Sequence, residues 1–81
     1  MNQQPQESPE LIEIAKKFDA ITRQVAQGFK KQLELARAEH DEEEIVRNQI
    51  KLGVLTAARG MFAGSYRQVM KTSPDGNWSE V

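Results

Sequence analysis

Residues 53–64 read GVLTAARGMFAG, and they decide whether the second half of the chain is one helix or two. A glycine in a helix interior costs about 1 kcal/mol relative to alanine, so three glycines should either break the helix or serve a purpose within it. The apolar residues keep one helical phase through Gly60 and Gly64; they are Leu55, Ala58, Phe62, Tyr66 and Val69. This continuity predicts an unbroken helix, and the alternative is a helix that breaks at the glycines.

The small residues of this helix share a phase of their own. They are spaced four, three and four residues apart and project onto one narrow strip, with two larger apolar residues along its border. Such a strip allows a second helix to approach closely. We therefore predict a partner interface that consists of Ile50, Gly53, Ala57, Gly60, Met61 and Gly64.

The first half of the chain carries a separate helical pattern. Ser8 suits the capping position of a helix, and Pro9 suits its first turn. Apolar residues then recur at spacings of three or four, at Leu11, Ile14, Phe18, Ile21, Val25, Phe29, Leu33 and Ala36. This spacing is typical of an amphipathic helix.

The charges around position 39 predict where this first helix ends. Residues 39–44 read EHDEEE, whereas the turns that precede them are basic. Basic residues favour the C-terminus of a helix and acidic residues its N-terminus, and Asp41 with Glu44 resembles a capping box. We therefore place a tight turn near residues 39–41. The alternative is one continuous helix of roughly 60 residues, about 90 Å long.

These patterns divide the chain into three parts. Residues 1–8 are predicted to be a flexible N-terminal segment, residues 9–71 a helical hairpin, and residues 72–81 a C-terminal turn and tail. The predicted fold class is all-α, a two-helix antiparallel hairpin that a partner or a second copy of the chain completes into a bundle. In the tail, Trp78 either folds back onto the hairpin or frays.

Folding the chain at the turn brings one apolar face of each helix together. The predicted hairpin core consists of Leu11, Ile14, Phe18, Ile21, Val25, Phe29, Leu55, Phe62, Tyr66 and Val69. The strip of small residues on the second helix then remains uncovered. An uncovered apolar face on a two-helix hairpin indicates another subunit.

Composition narrows the classes of function. The 81 residues allow one small domain, and they include no cysteine and a single histidine, which excludes disulfides and a two-histidine metal site within one chain. His40 and Glu44 are spaced four apart, but a ferritin-like Glu-x-x-His motif would need glutamate where Arg37 stands. We therefore predict no metal, no cofactor and no catalytic residue, and hence no enzyme.

Charge and hydropathy argue against nucleic acid and membranes as partners. The net charge is −1, and the basic residues of the second helix scatter around it instead of forming a phosphate-binding stripe. No apolar run reaches the roughly 20 residues of a membrane span. The polar N-terminus MNQQPQESPE lacks the apolar region of a signal peptide. We expect a cytoplasmic protein.

The second helix resembles that of a known family. The residues that carry the resemblance are Asn48-Gln49-Ile50-Lys51-Leu52, Leu55, Ala57-Ala58 and Tyr66-Arg67. They are similar to the second helix of the small co-chaperones of type III secretion needle subunits, which are helical hairpins of about this length. The resemblance implies a cytosolic protein that pairs with a larger helical-repeat co-chaperone and keeps a needle subunit from polymerising.

Two functions are consistent with these features. The first is a non-enzymatic protein–protein interaction module whose small-residue groove binds a partner helix, with the needle co-chaperone role as its specific form. The alternative is a homo-oligomeric small helical protein, for example one encoded by a phage or mobile element, that binds and blocks a host protein. The expected partner is accordingly another helical protein or a second copy of the chain.

Overall fold

The computed structural model describes residues 8–80, which form two long helices and a C-terminal tail. Helix α1 spans Pro9–Ala38 and helix α2 spans Glu42–Met70, and the described residues include no strand. The two helices pack against each other in antiparallel fashion, which confirms the predicted all-α hairpin. The predicted flexible segment lies outside the described residues, apart from Ser8.

Helix α1 begins where the sequence predicts. Ser8 is extended (φ −80°, ψ 122°), and its side-chain oxygen accepts a hydrogen bond from the backbone N–H of Leu11. Pro9 occupies the first turn of the helix, where its missing N–H leaves no donor unpaired. Ser8 therefore belongs to the helix start.

The turn between the helices is a Schellman motif with a histidine at its left-handed position. The backbone N–H of Asp41 donates to the carbonyl of Ala36 (2.9 Å). The N–H of His40 donates to the carbonyl of Arg37 (3.2 Å), which completes the motif. His40 has a φ of 54°, a conformation that glycine usually supplies. Asp41 then caps α2 by accepting a hydrogen bond from the N–H of Glu44 (3.2 Å).

Helix α2 is unbroken over 29 residues and runs through Gly53, Gly60 and Gly64. None of these glycines has a positive φ, so each is an ordinary helical residue. The continuous apolar phase therefore predicted this helix correctly. It ends at Met70, after which Lys71 turns the backbone with a left-handed φ of 64°.

The core is small and lies at the end of the hairpin away from the turn. Its buried members are Ala15, Tyr66, Met70 and Trp78, and Leu11, Ile12, Phe18, Phe62 and Ala63 pack against them. The rings of Phe18 and Phe62 stack with their centroids 4.6 Å apart. Four residues of the predicted core thus lie in this cluster, namely Leu11, Phe18, Phe62 and Tyr66. Phe29 and Leu55 are half-buried along the rest of the seam.

Four other residues predicted for the core lie at the surface, which corrects the prediction. Ile14, Ile21, Val25 and Val69 are between 41% and 66% exposed. On α1 the buried residues are instead small ones, namely Ala15, Thr22, Ala26 and Ala36. Small side chains let α2 approach closely along one edge of the apolar stripe, and a single neighbouring helix cannot cover the other edge as well.

The C-terminal tail, residues 71–80, folds back along the hairpin. Pro74 and Trp78 are buried. The indole N–H of Trp78 donates to the carbonyl of Asp75 (2.9 Å), which satisfies the one polar group of this side chain. The tail therefore contributes directly to the core.

Candidate functional site

The residues predicted for the partner interface lie on the outer face of α2. This face consists of Ile50, Gly53, Val54, Ala57, Gly60, Met61 and Gly64, which helical geometry places opposite the side that contacts α1. Ile50 is 60% exposed and Met61 is 73% exposed. Gly64 is half-buried, and the other small residues are exposed. The structure thus brings the predicted residues together on one uncovered surface.

The glycines of the outer face are not required by the hairpin itself. A methyl group added at Gly53, Gly60 or Gly64 would meet nothing within 4 Å. Their backbone conformation is helical as well, so alanine would be accommodated at each position. The fold of the single chain therefore gives no reason for glycine at these sites.

A second uncovered apolar surface, the side stripe of α1, consists of Ile14, Ile21, Val25 and Leu35. All four are more than 40% exposed. Large exposed apolar residues of both helices number nine in the described part of the chain: Ile14, Ile21, Val25, Leu35, Val46, Ile50, Val54, Met61 and Val69. The hairpin therefore leaves most of its large aliphatic side chains in water.

The inner face of α2 carries polar side chains where a core would normally be apolar. Arg59 is completely buried and Asn48 is 2% exposed. The Arg59 guanidinium donates to the carboxylate of Asp19 (Nη2 to Oδ1, 2.7 Å) and to the hydroxyl of Thr22. It also donates to the backbone carbonyl of Asn77 (2.8 Å). One arginine thus joins α1, α2 and the tail.

Asp19 is the acidic centre of this arrangement. Its carboxylate accepts hydrogen bonds from Arg59 and from Nε of Arg23 (3.1 Å), the latter a pair expected from the i,i+4 spacing. Partial burial alone would raise the pKa of the Asp19 carboxyl. The hydrogen bond from Arg59 and the positive charges of Arg23 and Arg59 outweigh burial, and the pKa is lowered from its ordinary value. Asp19 is therefore ionised at neutral pH.

The tail is attached to the hairpin through Asn77 and Trp78. The backbone carbonyl of Asn77 accepts from both Arg59 and Arg23, each at 2.8 Å. The indole ring of Trp78 lies 4.7 Å from the Arg59 guanidinium, a cation–π contact. It also stacks with Phe62 (centroids 5.2 Å apart) and Phe18 (5.9 Å). We call this binding place for Trp78 the aromatic seat, formed by Phe18, Phe62 and Arg59.

Sequence reasoning treated Arg59 as one of several basic residues scattered around α2 and missed its role. The available signal was its position, since it follows Leu55 by four residues and precedes Tyr66 by seven. Those spacings place it on the inner face of the helix. A charge on an inner face must be paired, and Asp19 beside Phe18 was a suitable partner.

Neither a metal site nor a membrane span is found in the part of the chain that the structure describes. No three histidine, aspartate or glutamate side chains of residues 8–80 come together to hold an ion, and the acidic stretch at the turn is exposed apart from the half-buried Glu44. Neither α1 nor α2 has an apolar stretch long enough to cross a bilayer.

Comparison with known proteins adds no relative. No protein-family model, no curated protein and no solved structure matches this chain.

Proposed function

We propose that this protein is a non-enzymatic interaction module whose outer face of α2 binds a helix of another protein. The observation that carries the proposal is that α2 exposes the large apolar side chains of Ile50 and Met61 on its outer face while it buries Arg59 on its inner face. Burying one such aliphatic side chain contributes roughly 1.5–3 kcal/mol. A partner that covered several of them would gain this energy, which the single hairpin forgoes.

The glycines support a helix as the bound element. Each should cost α2 about 1 kcal/mol relative to alanine, and nothing within the chain requires them. Close approach of two helix backbones does require small residues on at least one side. A partner helix on the outer face would account for glycine at these positions.

The specific form of the proposal is a co-chaperone of a type III secretion needle subunit in the cytoplasm. It rests on the resemblance of the second helix to that family. Of the residues that carry the resemblance, Ile50 and Ala57 are on the outer face, whereas Asn48 and Tyr66 are buried. In this form the partner would be a larger helical-repeat co-chaperone.

A second candidate is a homo-oligomer that binds and blocks a host protein. The side stripe of α1 favours it, because a hairpin with two uncovered apolar surfaces can cover one of them with a second copy. The two candidates differ in the behaviour of the isolated chain. A homo-oligomer should sediment as one discrete species, whereas a module that needs another protein should be monomeric or associate without fixed stoichiometry.

The test compares variants of the full chain in two experiments. In one, each variant is the bait that captures a partner protein; in the other, sedimentation measures its association with itself. Gly60→Leu fills the outer face, Met61→Asp places a charge on it, and Gln27→Asp places the same charge on the exposed far side of α1. We expect the first two to abolish binding of the partner, or dimer formation, while their helicity by circular dichroism is retained. The Gln27→Asp control should behave as wild type. Wild-type levels of binding and association in both outer-face variants would refute the proposal.

A further inference from the structure

The tail contributes Trp78 to the core, yet it is held to the hairpin in the way that a bound peptide would be. Its attachment uses the backbone carbonyl of Asn77 and the side chain of Trp78, and Pro74 is buried as well. The tail contains no helix or strand, and its other hydrogen bonds are short-range ones within itself. This is the manner in which an extended peptide with one aromatic anchor binds a groove.

The fit of the tail is incomplete over its first half. An open cleft of about 370 Å³ separates this part of the tail from the helices. Its walls are Ile12, Ala15, Lys16, Asp19 and Tyr66 on the helices and Thr72, Ser73, Asp75 and Gly76 on the tail. Four residues of the tail therefore border open space, and the tail is held at the buried Pro74 and at Asn77 and Trp78.

The arginine to which the tail binds has one unsatisfied polar group. The Nε–H of Arg59 is buried and has no hydrogen-bond partner, and an unpaired buried donor is unfavourable. Asn77 and Trp78 both contact the guanidinium of this side chain, so their release would exchange these two contacts for hydration of the guanidinium.

We propose that residues 71–80 are a releasable strap that occupies the aromatic seat and excludes other ligands from it. The ligand that the seat fits is an extended peptide with a tryptophan one residue after the carbonyl that Arg23 and Arg59 bind. The strap acts as the intramolecular competitor of such a peptide. This inference is independent of the proposed function, because the seat lies on the inner side of the hairpin and the outer face of α2 does not form it.

The first test uses Trp78 as a probe, since it is the single tryptophan of the chain. Urea titration of the full chain should be followed by tryptophan fluorescence and by far-ultraviolet circular dichroism. A releasable strap should expose Trp78 at a lower urea concentration than the one that unfolds the helices. Coincident transitions would show that the tail is part of the cooperative core and would overturn the proposal.

The second test supplies the strap as a separate molecule. The probe is a fluorescein-labelled peptide with the sequence of residues 71–81, and the acceptors are the wild-type chain, a Trp78→Ala chain and a Glu80→Gln control chain. A strap that is closed about nine-tenths of the time should weaken binding of the peptide about tenfold. We therefore expect the Trp78→Ala chain to bind about tenfold more tightly than wild type and Glu80→Gln, and to ignore a peptide with alanine in place of tryptophan.

Each other outcome counts against the strap. If the Trp78→Ala chain does not bind the peptide, the seat accepts no ligand. If it binds the peptide only as tightly as wild type does, the tail does not compete for the seat. Loss of helicity in that variant would show that Trp78 belongs to the indispensable core. Neither result would affect capture of a partner through the outer face, so failure of this inference is distinguishable from failure of the proposed function.

Discussion

The two faces of α2 do not divide into an apolar inner side and a polar outer side in the usual way. The inner face buries Asn48 and Arg59 beside Tyr66 and Met70, whereas the outer face exposes Ile50, Val54 and Met61. A soluble hairpin that had only its own fold to maintain would place these residues the other way round. The inner face therefore holds the contacts that determine how the chain folds, whereas the outer face exposes large apolar side chains that the hairpin does not cover.

The two faces also differ in how strictly they specify geometry. Arg59 is bound by groups of α1 and of the tail at fixed distances, so the register of the three segments is defined by hydrogen bonds. The outer face has no such contacts, and its small residues leave open space. Substitutions on the inner face should therefore affect folding, and those on the outer face should affect association.

The largest effect is expected for Arg59→Ala. The substitution removes one of the two arginines that bind Asp19 and the Asn77 carbonyl, and Arg23 remains in contact with both. Because Asp19 is also partly exposed, the cost should be about 3 kcal/mol, the lower end of the range for breaking a buried ion pair. Urea denaturation should show this loss of unfolding free energy. Arg67→Ala, on an exposed side of the same helix, is the matched control and should cost less than about 0.5 kcal/mol. Similar losses for both arginines would remove the distinction between the faces.

A smaller, pH-dependent effect is expected for Asp19→Asn. Because folding lowers the pKa of Asp19, its contribution to stability is fully present above the unfolded pKa, near 3.9, and is lost as the pH falls through the lower pKa of the folded state. Asparagine keeps a hydrogen-bond acceptor for Arg59 but loses the charge, so wild type should be more stable than Asp19→Asn by about 1–2 kcal/mol at pH 7. The difference should shrink below about pH 4, and a difference that stays constant from pH 7 to pH 2 would contradict the assignment.

A gain in stability is expected for Gly60→Ala. The added methyl group meets nothing within 4 Å, and alanine is favoured over glycine in a helix by about 1 kcal/mol. Thermal unfolding of the monomer should shift upward accordingly. A Gly60→Ala monomer that is less stable than wild type would mean that the fold of the hairpin itself requires glycine at this position. Gly60 would then no longer support binding of a partner helix to the outer face.

The smallest effect on folding is expected for Met61→Ser. With 73% of its surface exposed, Met61 contributes little to the isolated hairpin, so its unfolding free energy should change by no more than about 0.5 kcal/mol. Association should nevertheless weaken measurably in sedimentation equilibrium or partner titration. Phe62→Ser, at the next residue but in the core, is the contrasting variant and should destabilise the monomer by several kcal/mol.

The two helices could be predicted from the sequence because capping residues and apolar periodicity depend only on neighbouring residues. Ser8 and Asp41 are capping residues, and the phase of the apolar residues through Gly60 showed that α2 is continuous. The turn was predicted from the reversal of charge and from the capping-box pattern of Asp41 and Glu44. Its left-handed residue is His40, so the glycine that usually marks such a turn is absent.

The packing of the hairpin could not be obtained in the same way. An apolar stripe about 120° wide does not show which of its edges a neighbouring helix covers, and the smaller residues proved to be the contact edge, with Ala15 and Thr22 buried and Ile14 and Ile21 exposed. The role of Arg59 depends on Asp19, 40 residues away, and on Asn77 in the tail. Helical spacing places Arg59 on the inner face, but no periodic pattern identifies Asn77 of the tail as its partner.

The Schellman turn at His40 has a consequence for the rate of folding. Bringing Asp19 to Arg59 closes a loop of 40 residues, which costs about 3 kcal/mol of chain entropy when the loop is unstructured. When the turn has already formed, the two helices lie side by side as they grow. Fewer residues then remain free between Asp19 and Arg59, and the chain samples fewer conformations before the two meet. His40→Gly removes the strain of a left-handed non-glycine residue, and we therefore expect it to accelerate folding. Disruption of the Arg59 contacts should instead mainly accelerate unfolding.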